Sequence, residues 1–307
     1  MSGTRKCHFV PQCYLKQFEI NNKHQIATYD LKTQKIYTQN INTAAQKRDF
    51  YKIKSSRVKD EDLWEKIYAQ FYEPLLKQQI DKLKKYSLPV HNCEVPVLNE
   101  VEQLLWKILM IHQMLRDPKR QQIGKNIYSN TYNIIRNSFA PYKKQMSELC
   151  WNVIERFGDF ESNNDILMHA SFPENHMNLL IYLDHIKLVV VRFDSDCLIT
   201  SDCPAFIDNH ITTLSIKENE RLTIKMIYPV APNLLICGLE IGPVFNIGVL
   251  NAHYRITGGY IFYVSVQENI ELIKQINQCI MENCDRFLFA SDENVLYKLK
   301  DTILSDH

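Results

Sequence analysis

Two periodicities divide the chain. From Gln25 to Tyr37, apolar and polar residues alternate on either side of Asp30-Leu31-Lys32-Thr33, which predicts a hairpin over Gln25–Tyr29 and Lys35–Tyr37. A further short strand is predicted at Phe50–Ile53, and Pro11 is placed to open one short helix before the hairpin. From Asp60 to about Ala140 the period changes to that of a helix. Trp64, Ile67, Tyr68, Phe71 and Leu75 mark one stripe; Val101, Leu104, Leu105, Ile108, His112 and Leu115 mark a second. Pro74 falls inside the first stripe and predicts a kink or two abutting helices. Asp117-Pro118 ends the second helix and starts a third, reaching about Asn137. A fourth follows Pro141 and carries Met146, Leu149, Cys150 and Val153.

The second half changes character. A helix over Asn178–His185 leads into the strand Lys187–Phe193. Cys197–Ser201, Leu222–Tyr228, Leu234–Leu239 and Ile261–Val264 follow as strands rich in β-branched or apolar residues. The chain closes with a helix at Glu268–Asn283, a strand at Phe287–Ala290 and a helix at Glu293–Ile303, capped by Ser291-Asp292. Helices in the middle and strands behind them, without regular alternation, favour an α+β fold over a doubly wound sheet. The expected arrangement is a helical middle packed on a mixed or antiparallel sheet drawn from the hairpin and the second half. One large domain, 1–307, is expected, with subdomains 1–58, 59–170 and 171–307.

Composition narrows the functional classes. A formal net charge of +1 gives no global field toward nucleic acid or membrane, although basic residues cluster at Lys47–Arg48, Lys82–Lys85 and Arg116–Arg120. No apolar run is long enough to span a bilayer, and Met1–Lys6 lacks the apolar region of a secretory signal. Nine cysteines without a Cys-x-x-Cys pair read as reduced, metal-free thiols of a cytoplasmic protein. Glycine-rich phosphate loops, a Gly-x-Ser-x-Gly elbow and His-Glu-x-x-His are all missing from the sequence.

The string His8-Phe9-Val10-Pro11-Gln12-Cys13-Tyr14-Leu15-Lys16-Gln17-Phe18 resembles the entry signature of the bacterial domain of unknown function 4238. Further matches come in that family's order: Asp49-Phe50-Tyr51, Glu65 and Glu73, Gln113-Met114-Leu115-Arg116-Asp117-Pro118, and Ile199-Thr200-Ser201-Asp202-Cys203-Pro204. Pro229, Ile276-Asn277 and Asp285–Ser291 complete the pattern. Cys13 departs from it, standing where the family more often has an aromatic residue. The resemblance implies a shared fold and a shared polar site, and it delivers no reaction.

Within those strings a few residues could carry chemistry. His8, placed ahead of Pro11, could serve as general acid, general base or metal ligand, or simply bond to backbone. Glu65 and Glu73 stand eight residues apart, roughly 80° around a regular helix. Glu73 lies among Phe71, Tyr72 and Leu75, where a buried carboxylate calls for a cation. Gln113 and Arg116 share a helix face, and the Arg116 fork suits a carboxylate or a phosphate. Asp202 sits at a strand end, as active-site acids often do, though Ser-Asp-x-Pro is also a good turn. Tyr128, Tyr132 and Tyr142 beside basic residues could stack on bases or pack in the core.

The expected site therefore has His8, Glu73 and Asp202 as catalytic groups and Gln12, Gln113, Arg116 and Ser201 as substrate-binding groups, all in one cavity. With Mg²⁺ or Mn²⁺, such a set reads as a nucleic-acid- or nucleotide-directed hydrolase, a nuclease-like effector of a bacterial defence or toxin system. The alternative is a non-catalytic sensor or scaffold for a phosphorylated ligand or a protein partner.

Overall fold

The computed structural model describes residues 6–52, 62–86, 97–119, 136–148, 186–217, 220–240 and 261–305, with the single residues 122, 133 and 151 between them. Among these, eleven strands form three sheets. In chain order they are β1 (Lys6–His8), β2 (Gln25–Asp30), β3 (Lys35–Asn40), β4 (Gln46–Arg48), β5 (Ile186–Phe193), β6 (Thr200–Ser201), β7 (Phe206–Lys217), β8 (Glu220–Ala231), β9 (Leu234–Glu240), β10 (Ile261–Val264) and β11 (Phe287–Ala290). The helices that matter here are α1 (Gln12–Leu15), α2 (Leu63–Ile67), α3 (Glu73–Lys84), α4 (Glu100–Leu115), α5 (Ile270–Glu282) and α6 (Glu293–Ser305). The fold is α+β.

The largest sheet has the order β10-β5-β9-β8-β7 and is antiparallel except for the β10–β5 pair. Both its faces are covered. Ile186, Leu188 and Val190 of β5 pack into one hydrophobic cluster with α2–α4, while Val189, Val191 and Phe193 pack into a second with α5. Burial on both sides is why β5 reads as one apolar run rather than an alternation. The hairpin β2–β3 does join strands of the second half, but in a separate four-stranded antiparallel sheet of order β3-β2-β11-β6.

Several expected elements are moved or shortened. Phe50 and Tyr51 lie in a turn that Lys52 N–H closes onto the Asp49 carbonyl (3.1 Å), with Asp49 at φ 51°; the strand in that region is β4, which starts four residues earlier. Of Cys197–Ser201 only Thr200–Ser201 is strand, because the Asn277 side chain occupies the Ile199 N–H (3.1 Å) and the Cys197 carbonyl (2.9 Å). The long strand β7 falls on a polar string, Asp208-Asn209-His210, that does not read as one. The segment after Pro141 begins as a 3-10 turn, Ala140–Gln145, and helix 178–185 lies outside the described residues.

Pro74 does not interrupt its helix. Tyr68–Tyr72 form a π turn that runs from α2 directly into α3; the Glu73 N–H bonds the Tyr68 carbonyl five residues back, and this widened turn accommodates Pro74 next to it. The π turn takes up one extra residue, so the buried positions step by four: Trp64, Tyr68, Tyr72, Leu76 and Ile80. Phe71, expected on that face, is 68 % exposed.

The face of α4 is also corrected. Gln103, Trp106, Lys107, Met110, Gln113 and Met114 point inward, while Val101 is 75 % and Leu104 47 % exposed. Asn99 and Glu102 close a reciprocal capping box at its start (3.0 and 2.8 Å). Gln103 is held inward by accepting from the Leu188 N–H of β5 (3.2 Å). No described helix is long and apolar enough to cross a membrane.

Candidate functional site

The signature string is a short strand, a sharp turn and one turn of helix. β1 pairs with β4, and Pro11 in extended backbone turns the chain into α1. This exposes two successive carbonyls, of His8 and Phe9, to the C-terminal end of α4. Gln113 Nε2 donates to the Phe9 carbonyl (3.1 Å) and Arg116 Nη2 to the His8 carbonyl (2.5 Å). The shared helix face expected for Gln113 and Arg116 thus grips adjacent peptide units.

Arg116 is 1 % exposed. Its Nε donates to Tyr51 Oη (2.6 Å) and its Nη2 also to Glu73 Oε1 (3.1 Å). The guanidinium lies against the rings of Tyr68 (4.4 Å), Tyr72 (5.3 Å) and Tyr51 (5.4 Å). Tyr72 Oη donates to the Leu109 carbonyl (3.0 Å), tying the box to α4. Two buried donors in this box, Arg116 Nη1 and Tyr68 Oη, have no acceptor among the described residues. The π turn matters here too. One extra residue absorbs roughly 100°, which turns the expected 80° offset of Glu65 and Glu73 into about 20°. Glu65 accordingly acts on Cys7 and Tyr51, and Glu73 on His8 and Arg116.

His8 has both ring nitrogens engaged. Nδ1 faces the Ala44 carbonyl (3.1 Å) and must carry the proton, so Nε2 accepts from Gln12 Nε2 (2.8 Å). Burial holds its pKa below the usual histidine value, against the opposing pull of the Ala44 carbonyl and Glu73.

Asp202 and Ser201 are elsewhere. The Asp202 carboxylate, 2 % exposed, accepts from the backbone N–H groups of Asp285 (2.9 Å), Arg286 (2.8 Å) and Phe287 (3.0 Å) and from the Cys284 thiol (3.2 Å). Burial raises its pKa, and those donors limit the rise. Ser201 Oγ accepts from the Cys203 N–H (3.1 Å) in a tight turn. The structure therefore brings His8, Gln12, Glu73, Gln113 and Arg116 together and leaves Ser201 and Asp202 to fasten β6 to β11. The two groups are linked through Tyr14, whose hydroxyl donates to the Pro229 carbonyl and contacts Thr200 Oγ1 (2.6 Å).

The profile of a family described as "Protein of unknown function (DUF4238)" matches residues 6–294. The chain belongs to that family. No curated protein matches it, and no solved structure does. In this DUF4238 protein the tyrosines around Arg116 are the contributors that sequence reasoning missed. Tyr51 is in the Asp49-Phe50-Tyr51 string but reads as strand, and the four-residue step from Tyr68 to Tyr72 was the available signal. The basic run at Arg116–Arg120 does not form an exposed patch at its start, since Arg116 and Asp117 are buried. Tyr142 is exposed, while Tyr128 and Tyr132 lie outside the described residues.

None of the seven described cysteines is in a disulfide, and burial pushes Cys13, Cys197 and Cys237 up to about 12, so these three stay protonated thiols at neutral pH. Cys93 and Cys150 lie outside the described residues. Among the described residues no group of three or more His, Cys, Asp or Glu side chains is placed to hold a metal ion.

Proposed function

We propose that this DUF4238 protein acts by binding, as a non-catalytic sensor or scaffold for a protein partner. The observation that carries this reading is the saturation of its two best acid–base candidates. Asp202 accepts four hydrogen bonds and His8 uses both ring nitrogens, in each case to hold backbone or a neighbouring side chain in place. A base so engaged must break the fold's own contacts before it can take a proton. Arg116 is committed through Nε and Nη2, and although Nη1 has no acceptor among the described residues, both edges of the fork share a bonded nitrogen, so no two-pronged edge is left for a phosphate. A cytoplasmic location goes with this reading, since free buried thiols persist there.

Labelled RNA, DNA and nucleotides, incubated with the purified chain with and without Mg²⁺ or Mn²⁺, should remain intact. Turnover that His8→Gln or Asp202→Asn abolishes without lowering the denaturation midpoint would overturn the proposal. The second reading, a nucleic-acid- or nucleotide-directed hydrolase of a bacterial defence or toxin system, is favoured by one observation. The π turn brings Glu65 and Glu73 to one face of the helix, with Glu73 against Arg116, and one carboxylate with substrate phosphates can suffice for Mg²⁺ or Mn²⁺. Metal-dependent turnover lost in both Glu65→Gln and Glu73→Gln would establish that reading instead.

A further inference from the structure

We infer that the cleft between α5 and α6 is a docking groove for a basic amphipathic helix of a protein partner, an inference that rests on the binding reading above. The cleft encloses about 790 Å³, within the roughly 300–1,000 Å³ of ligand sites. One wall is a single face of α5 running from Glu271 through Lys274 and Gln278 to Glu282, roughly 17 Å or three helical turns. Val295, Lys298 and Leu299, at i, i+3 and i+4 of α6, form the other. Cys197, Val266, Met281, Val295 and Leu299 are each half-buried, packed on the core while lining the cleft.

The floor is fixed, because Asn277 clamps Cys197–Ile199 from below. The cleft is walled by helix side chains, so an extended peptide would find no sheet edge to pair with. An apolar floor of Cys197, Val266, Ile273 and Met281, with Val295 and Leu299 one turn apart beside it and a polar rim of Glu271, Lys274, Gln278 and Glu282, instead suits anchors at i, i+4 and i+7 of a third helix. Charge selects the partner's sign. Exposed Asp194, Asp196, Glu268 and Glu271 gather where the loop before β6 meets the start of α5, and both aspartates act on Cys197 in the floor. Lys274 and Lys298 are the cleft's own cations, outnumbered by Asp194, Asp196, Glu268, Glu271 and Glu282 in and beside it, so lysine or arginine on the incoming helix completes the balance.

The test is fluorescence anisotropy of the full chain with a labelled peptide of about 15 residues, leucines on one face and lysines on the other. A counterpart carries glutamate in place of every lysine. The lysine peptide should bind at least about tenfold more tightly than the glutamate peptide. Its affinity should fall by a similar factor in Glu271→Lys, an exposed change that leaves folding intact, and in Leu299→Asp where circular dichroism shows a native fold. Equal affinity for the two peptides, no binding of either, or an unchanged affinity in Glu271→Lys overturns the inference. Displacement by hexylammonium at equal concentration assigns the cleft to small cations and overturns it as well. Failure here without substrate turnover removes the groove and leaves the binding reading standing; turnover dependent on His8 or Asp202 removes that reading itself.

Discussion

Arg116 carries a permanent charge into a site closed to water, and four separate contacts offset the desolvation: Tyr51, the His8 carbonyl, Glu73 and the aromatic faces around it. Arg116→Ala should therefore lower stability by about 3–5 kcal/mol, and Arg116→Lys should recover only part of it, since an ammonium cannot span Tyr51 and His8 together. Urea midpoints of the two variants check this, and a loss under about 1 kcal/mol would mean the network is idle. The hydroxyls of the box separate in the same experiment. Tyr72→Phe loses its bond to the Leu109 carbonyl and should cost about 1 kcal/mol, whereas Tyr68→Phe, losing no acceptor, should cost almost nothing. His8 supplies a pH dependence. Its folded pKa lies below the unfolded value of about 6.5, so its contribution is complete above that pH and is lost as pH falls through the folded value. Stability of the wild type should drop on acidification below about pH 6.5, and by less in His8→Gln; parallel curves for the two proteins would refute this.

At the scale of elements, two devices replace regular hydrogen-bond ladders. The π turn lets Pro74 sit in an unbroken helix and rotates Glu65 into line with Glu73. Asn277 of α5 serves as a strand partner for Cys197–Ile199, which explains why β6 is so short. Asn277→Ala leaves one buried N–H and one carbonyl without partners and should cost about 2–4 kcal/mol, measured by chemical denaturation. It should also raise hydrogen exchange at Ile199 ahead of the central strands, and unchanged protection there would remove the splint role.

Across the whole molecule, the five-stranded sheet has no solvated face in its centre, so its strands tolerate little added volume. Gly238 of β9 shows the limit: a Cβ there would stand 2.6 Å from Ile186 Cγ2 and 3.0 Å from Met226 Cβ. Gly238→Ala should cost about 1–3 kcal/mol through overpacking, read as a lowered thermal midpoint, and a neutral or stabilising result would mean the cluster around Ile186 and Met226 yields more readily than its packing suggests.

Strands β5, β9, β10 and β11 and helix α5 were legible in the sequence because each is an apolar run or stripe bounded by turn residues, a local property of the chain. So was the pairing of Gln113 with Arg116 on one face, which follows from helical spacing alone. The inward face of α4 was not, since apolar residues nearly encircle it and the Gln103 bond to β5 selects the side. Nor could spacing reveal that His8 and Arg116 meet through a backbone carbonyl, while Asp202 is held by three backbone N–H groups over eighty residues away. Those partners are peptide groups that every residue carries, so no side-chain pattern marks them. Local periodicity determined which segments would form; tertiary structure decided which polar side chains share a site, because only packing brings a particular stretch of backbone to each one.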